Sequence, residues 1–313
     1  MIMNRTAWIA AALALVTLDT VLADVSTITG AVMTRVTREI PPAPAPILDV
    51  RQFGAKGDGI ADDSEALRQA VAACAGTGGS VLLEKGVFLS AQLELKGNMT
   101  LYIAESATLR GSPEPADYPI LCPTNASGTS AWRYCKQSLI YAHQADKLRI
   151  DGGGAIDGQA KALLKAGMRG KNGGRPSLIR IFFSKDIAVR NVTLRNSHFW
   201  TQVYDHCQGV ALENQTVRCP PVFANHDGMD ICDCRDVIVR NNDLESEDDV
   251  ICIKSHSLAG VDNILIENNT VTCHRANAIK FGTATTGPIR NVKILNNTVR
   301  YAKFGGLCIE SVD

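Results

Sequence analysis

Aromatic residues make up only 5% of this 313-residue chain, and Lys plus Arg equals Asp plus Glu at 32 each. The balanced charge supplies no basic face for nucleic acid and no pull towards an anionic membrane. So few rings exclude a binder built on an extended stacking platform, although a few well-placed Trp or Tyr suffice for one sugar. Beyond the N-terminus no apolar run is long enough to span a bilayer. Cysteine is not scarce, at ten. Even so, Cys232-Asp233-Cys234 lacks the paired CxxC spacing of a zinc site. Neither a metal nor a cofactor is expected, and a monomer is the expected state.

Residues 1–23 have the pattern of a secretory signal. Arg5 supplies a positive start, Ala7 to Val16 an apolar run, and Val21-Leu22-Ala23 small residues before a cleavage point at Asp24. The chain is therefore expected outside the cell or in the periplasm, where disulfides persist. Cys122 can pair with Cys135, or Cys207 with Cys219. Cys232, Cys234, Cys252 and Cys273 sit in strand-like runs and read as small buried hydrophobes.

Residues 24–46 form a flexible lead-in ending in Pro41-Pro42-Ala43-Pro44-Ala45-Pro46, and order is expected from Ile47. A helix follows Asp62-Asp63-Ser64, because Leu67, Ala70, Val71 and Cys74 recur on one helical face. Asp63 or Ser64 can cap its start, and the glycines of 76–79 end it. Thereafter the pattern changes to short strand-like runs, with no second strong helical periodicity.

The second half repeats itself. Val189-Arg190-Asn191, Val239-Arg240-Asn241, Ile266-Glu267-Asn268 and Leu295-Asn296 close similar units, with a weaker copy at Asn214. The spacing of 23 to 28 residues lies in the solenoid range, and each unit holds two or three strand-like pieces and no helix. Aliphatic residues at alternate positions would enter a stacked core. The repeated Asn would occupy a left-handed turn and hydrogen-bond its equivalent one coil away. The fold class predicted is all-β, a right-handed parallel β-helix with an N-terminal helix capping its open end. Residues 47–313 form that domain, expected to be incomplete at its C-terminal end because the last residues still read as strand.

Within the solenoid, Asn225-His226-Asp227-Gly228-Met229-Asp230 and Glu247-Asp248-Asp249 concentrate carboxylates. Asp227 lies 21 and 22 residues before Asp248 and Asp249, just under one coil, so a parallel solenoid sets them side by side. Mutual repulsion then raises the pKa of one member, giving both forms that glycosidic hydrolysis needs. Asp230 reads as a structural turn residue.

These residues, with Phe53-Gly54-Ala55-Lys56-Gly57-Asp58-Gly59 and Gly152-Gly153-Gly154-Ala155-Ile156-Asp157-Gly158, resemble the polygalacturonase-type glycoside hydrolases of family 28. The resemblance runs from about Ile47 to Asp313 and implies inverting hydrolysis of pectic polysaccharide. It assigns Asp248 as general acid, with Asp227 and Asp249 holding and deprotonating water. Two positions depart from the family pattern. Asn277 stands where a Gly-His-Gly histidine would fall, and Cys308-Ile309-Glu310 replaces the carboxylate-binding Arg-Ile-Lys. Substrate contacts are therefore sought at Asn225, Lys254, His256, Asn277 and Lys280, with His274 and Arg275 as further candidates. Rhamnogalacturonan-type or exo-acting specificity remains open beside plain polygalacturonan. The alternatives are calcium-dependent β-elimination on the same fold, or a non-catalytic carbohydrate-binding β-helix.

Overall fold

The computed structural model describes residues 40–122, 136–168, 174–219 and 224–311. The signal segment 1–23 and most of the lead-in lie outside them. Described residues of the proline stretch are tied to the coil rather than free: Ser80 donates to the Pro44 and Pro46 carbonyls at 2.7 and 2.8 Å. Tyr102 donates to Pro41 O at 2.9 Å.

Among the described residues, 26 strands stack in parallel into sheets of nine, nine and eight. Each coil gives one strand to each sheet, as in Arg235–Arg240, Asp243–Ser246 and Ile251–Ser255. This is the parallel β-helix expected from the repeat, and its right-handed coiling is the hand that crossovers between parallel strands favour. In the first sheet Val210, Val237, Ile264 and Val292 align across coils. In the second, Ile156, Leu194, Val217, Leu244 and Val271 do the same, each fully buried. Each such side chain stabilises the coil by about 1.5–3 kcal/mol relative to exposure.

The predicted helix spans Ser64–Cys74 and buries Leu67, Ala70, Val71 and Cys74 against the first strands of all three sheets. Asp63 does not cap it with its side chain, which accepts from Lys56 N and Gly57 N at 2.6 and 3.1 Å. Asp62 Oδ1 instead takes the Ser64 N–H at 2.9 Å. A second helix, Ala160–Lys165, was not legible; six residues are too few to set up a periodicity.

The repeated asparagines are left-handed as predicted: Asn191, Asn214, Asn241, Asn268 and Asn296 have φ between 52° and 59°. The hydrogen-bonded ladder, however, belongs to the next residue. Asn242 Nδ2 donates to Asn269 Oδ1 at 2.8 Å, and Asn269 Nδ2 to Asn297 Oδ1 at 2.9 Å. The left-handed residue turns the chain, so its neighbour is the one that points inward to meet its copies.

Two further expectations fail. Cys207 and Cys219 are free, buried thiols at different corners of one coil, Cys207 donating to Ile181 O and Cys219 touching Thr201. Cys122 is disulfide-bonded, and its expected partner Cys135 lies outside the described residues. Cys232, Cys234, Cys252 and Cys273 are buried and free. Alternation also breaks down in the third sheet, where Met229–Cys232 and Ile251–Ser255 are buried at every position. Its outer face is covered, with Trp200 among the covering residues, so polar side chains on that face are enclosed.

Candidate active site

The acidic residues occupy the corner where each coil passes from the second sheet to the third. Strand pairing of Met229 with Ile251 fixes an offset of 22 residues, so Asp227 stands opposite Asp249 on the adjacent coil. Gly228 N donates to Asp249 O at 3.0 Å and Met229 N to Val250 O at 2.9 Å. A Cβ on Gly228 would lie 2.5 Å from the Val250 carbonyl oxygen, so only glycine permits this approach.

The three aspartates meet different surroundings. Asp249 is buried and accepts from Asn277 N and Nδ2 at 3.0 and 2.9 Å, with Lys280 Nζ at 3.2 Å. Asp248 is half-buried and accepts from Asn225 N at 2.9 Å. Asp227 is buried; Lys254 Nζ lies 3.4 Å from its Oδ2, while Oδ1 has no hydrogen-bond partner among the described residues. Burial, then the charge of Asp230, pushes the Asp227 carboxyl well above the usual carboxylate range, against the opposing pull of Lys254.

Asp230 is not a turn residue. It lies inside the strand Met229–Cys232, fully buried, in an ion pair with Lys254. Burial raises its carboxyl too, with Lys254 opposing. The Lys254 ammonium thus sits against two carboxylates, 4.0 Å from the centre of the Trp200 ring. It orders the acidic cluster and is not free for substrate.

Of the other candidates, Asn225, Asn277 and Lys280 gather at the cluster, Lys280 also reaching Glu310 at 2.8 Å. His256 does not. Its backbone N–H donates to Asp233 at the far end of the Ile251–Ser255 strand, across the width of the third sheet from Asp249. His274 faces Glu245 at 2.8 Å, and Arg275 pairs with the buried Glu247. Arg175 was missed by sequence reasoning. It is 7% exposed, stacks over Phe199 at 4.8 Å, and donates to Ala224 O at 2.7 Å and Asn225 Oδ1 at 3.3 Å. No periodicity marked it.

Three carboxylates on adjacent parallel coils, in unlike surroundings and beside Lys254 and Lys280, form one acidic cluster on the β-helix. The family model for Glycosyl hydrolases family 28 matches residues 77–312, and the chain belongs to that family. It is similar to a probable polygalacturonase of Vitis vinifera, 29% identical over 65% of this chain and 43% of that protein. An exopolygalacturonase of Zea mays is 26% identical over 84% of this chain and 62% of that protein. Among solved structures, a hyperthermoactive exopolygalacturonase from Thermotoga maritima superposes with a TM-score of 0.71 at 23% identity. That superposition covers 87% of this chain and 70% of that one. The chain spans about half the length of the curated relatives it matches.

Proposed function

We propose that this protein is an exported glycoside hydrolase that cleaves pectic polysaccharide with inversion, using Asp248 as general acid and Asp227 with Asp249 to activate water. The observation carrying this reading is the alignment of Asp227 with Asp248-Asp249 on neighbouring coils, with Asp227 Oδ1 left as an unfilled buried acceptor. Asp248 is the most open of the three, which supports its role as the acid that meets the leaving oxygen. Asp249 is ringed by donors and Asp227 is held by Lys254, so both present acceptor oxygens to a water. The names of the similar plant proteins support pectic substrate.

Lys280 takes the role of local cation, and Glu310 answers it from the next coil. This reversed pair favours a substrate whose unit at that point is not a plain galacturonate, as in rhamnogalacturonan. The β-elimination alternative fares worse, because the Lys254 ammonium fills the space between Asp227 and Asp230 that a calcium ion would need. Asp248→Asn is expected to lose orders of magnitude in turnover on defined pectic oligosaccharides while still binding them. Turnover at the parental rate would refute the assignment. Ultraviolet-absorbing unsaturated products abolished by a chelator would indicate elimination instead.

A further inference from the structure

A second site lies on the same corner of the coil, away from the aspartates. A cavity of about 580 Å³ is lined by Arg110, Asp157, Gln159, Lys161, Lys165 and Asn196, among others. Its one carboxylate is already engaged: Asp157 Oδ2 accepts from Arg195 Nε at 2.9 Å, and Oδ1 from Asn196 Nδ2 and Gln159 N at 3.0 and 3.1 Å. Some surface cations pair with acids, as in Arg149 with Asp186 and Arg218 with Asp243. Among the described residues, no acidic side chain lies within ion-pair distance of Arg110, Lys161 or Lys165, whereas Arg195 takes Asp157. Three unanswered cations therefore gather round one cavity in a chain of zero net charge. Lys161 and Lys165 are four residues apart on the Ala160–Lys165 helix, so they share a face, and both line the cavity.

We infer that this cavity anchors a carboxylate-bearing stretch of the polysaccharide chain, as a site separate from the acidic cluster. The inference rests on the pectic reading of the substrate. Asp157 aligns with Arg195, Arg218 and Glu245 on successive coils, so the cavity stands three rungs, about 14 Å, from the coil carrying Glu247 and Asp248. A polymer running along this edge passes over both. Arg110 can grip a carboxylate with two parallel N–H bonds, and the two lysines supply point charges for its neighbours.

The test uses the full chain carrying Asp248→Asn, so that ligands are bound and not cut. Pectic oligosaccharides of increasing length, de-esterified or methyl-esterified, are titrated calorimetrically against it and against the same chain with Arg110→Gln, Lys161→Gln and Lys165→Gln. The charge-stripped chain is expected to lose about tenfold affinity for long de-esterified ligands and part of its salt dependence. Short ligands and esterified ones are expected to bind both chains equally. A Lys161→Gln, Lys165→Gln chain that retains Arg110 is expected to show a smaller loss of the same kind. Equal affinity of all three chains for long de-esterified ligands would overturn the anchoring site and leave the pectic reading intact. A parent chain that binds no pectic oligosaccharide would overturn both.

Discussion

Replacing Lys254 by Met tests how the acidic cluster is held together. The substitution keeps most of the side-chain stem beside Trp200 and removes the charge. At an effective dielectric near 20, the 3.4 Å contact with Asp227 alone represents about 5 kcal/mol of attraction. The closer contact with Asp230 adds to it, and the cost of desolvating the ammonium offsets much of the sum. Breaking a buried pair by removing one partner typically costs about 3–5 kcal/mol, because the remaining charge is left uncompensated. Here two carboxylates remain, both buried. We therefore expect a loss in that range at neutral pH, or about 10 °C in Tm at about 2–4 °C per kcal/mol.

The loss also has a required pH dependence. The Asp227 and Asp230 carboxyls are already raised by burial, and without Lys254 they rise further. A carboxyl raised in the fold contributes stability below its unfolded value, near 4, and that contribution disappears as pH rises through the folded value. The deficit of the Met variant must therefore be small near pH 4 and grow towards neutrality. Adding Asp230→Asn to the variant should recover part of it, which a double-mutant cycle in denaturant measures. A deficit below about 1 kcal/mol at pH 8, or one that does not change between pH 4 and pH 8, would refute the argument.

Three further outcomes are expected. Burial, then Arg175 and His226, pushes the His198 imidazole down to about 4, so stability should be full above pH 6.5 and fall by about 3 kcal/mol as pH drops towards 4. His198→Asn should flatten that slope in urea melts. Asn269→Ala should cost about 2–4 kcal/mol, since it removes bonds to Val239 O and Asn297 and strands the Asn242 donors, whereas Asn268→Gly should change stability by less than about 1 kcal/mol. Glu310→Gln frees Lys280 from its outer partner and should lower KM for uronate-rich substrates by a few-fold relative to neutral ones, with kcat less affected.

The coil was legible because its aliphatic residues repeat at a fixed spacing and its turns use asparagine. Both signals are local and need no knowledge of what lies opposite. Pairing of Asp227 with Asp249 was legible for the same reason, since spacing just under one repeat fixes position in a parallel stack. What was hidden depends on side-chain direction and on what covers a face. The asparagine ladder fell one residue from its expected place because the left-handed residue turns outward and Asn242 or Asn269 turns in. Asp230 read as a turn acid because nothing in the sequence announced that the third sheet's outer face is enclosed. An Asp three residues after Asp227 with a Lys in the apolar run Ile251–Ser255 was the available signal, as each demands a buried counter-charge.

The charges around the cluster constrain how substrate is recognised. Lys254 is committed to Asp227 and Asp230, Lys280 to Asp249 and Glu310, and Arg275 to Glu247. Arg175 is tied to Ala224 and Asn225. Lys254, Lys280 and Arg275 beside the acidic cluster thus hold protein groups in place with their charge answered by carboxylates, whereas Arg175 is held by neutral acceptors. A carboxylate-bearing polymer gains little electrostatic attraction from cations that are already paired. Three further cations without an ion pair gather three rungs along the same edge, at Arg110, Lys161 and Lys165. On the proposed reading, two tasks separate along one edge of the solenoid: acid–base chemistry where most cations are paired with carboxylates, and capture of the anionic chain where they are not.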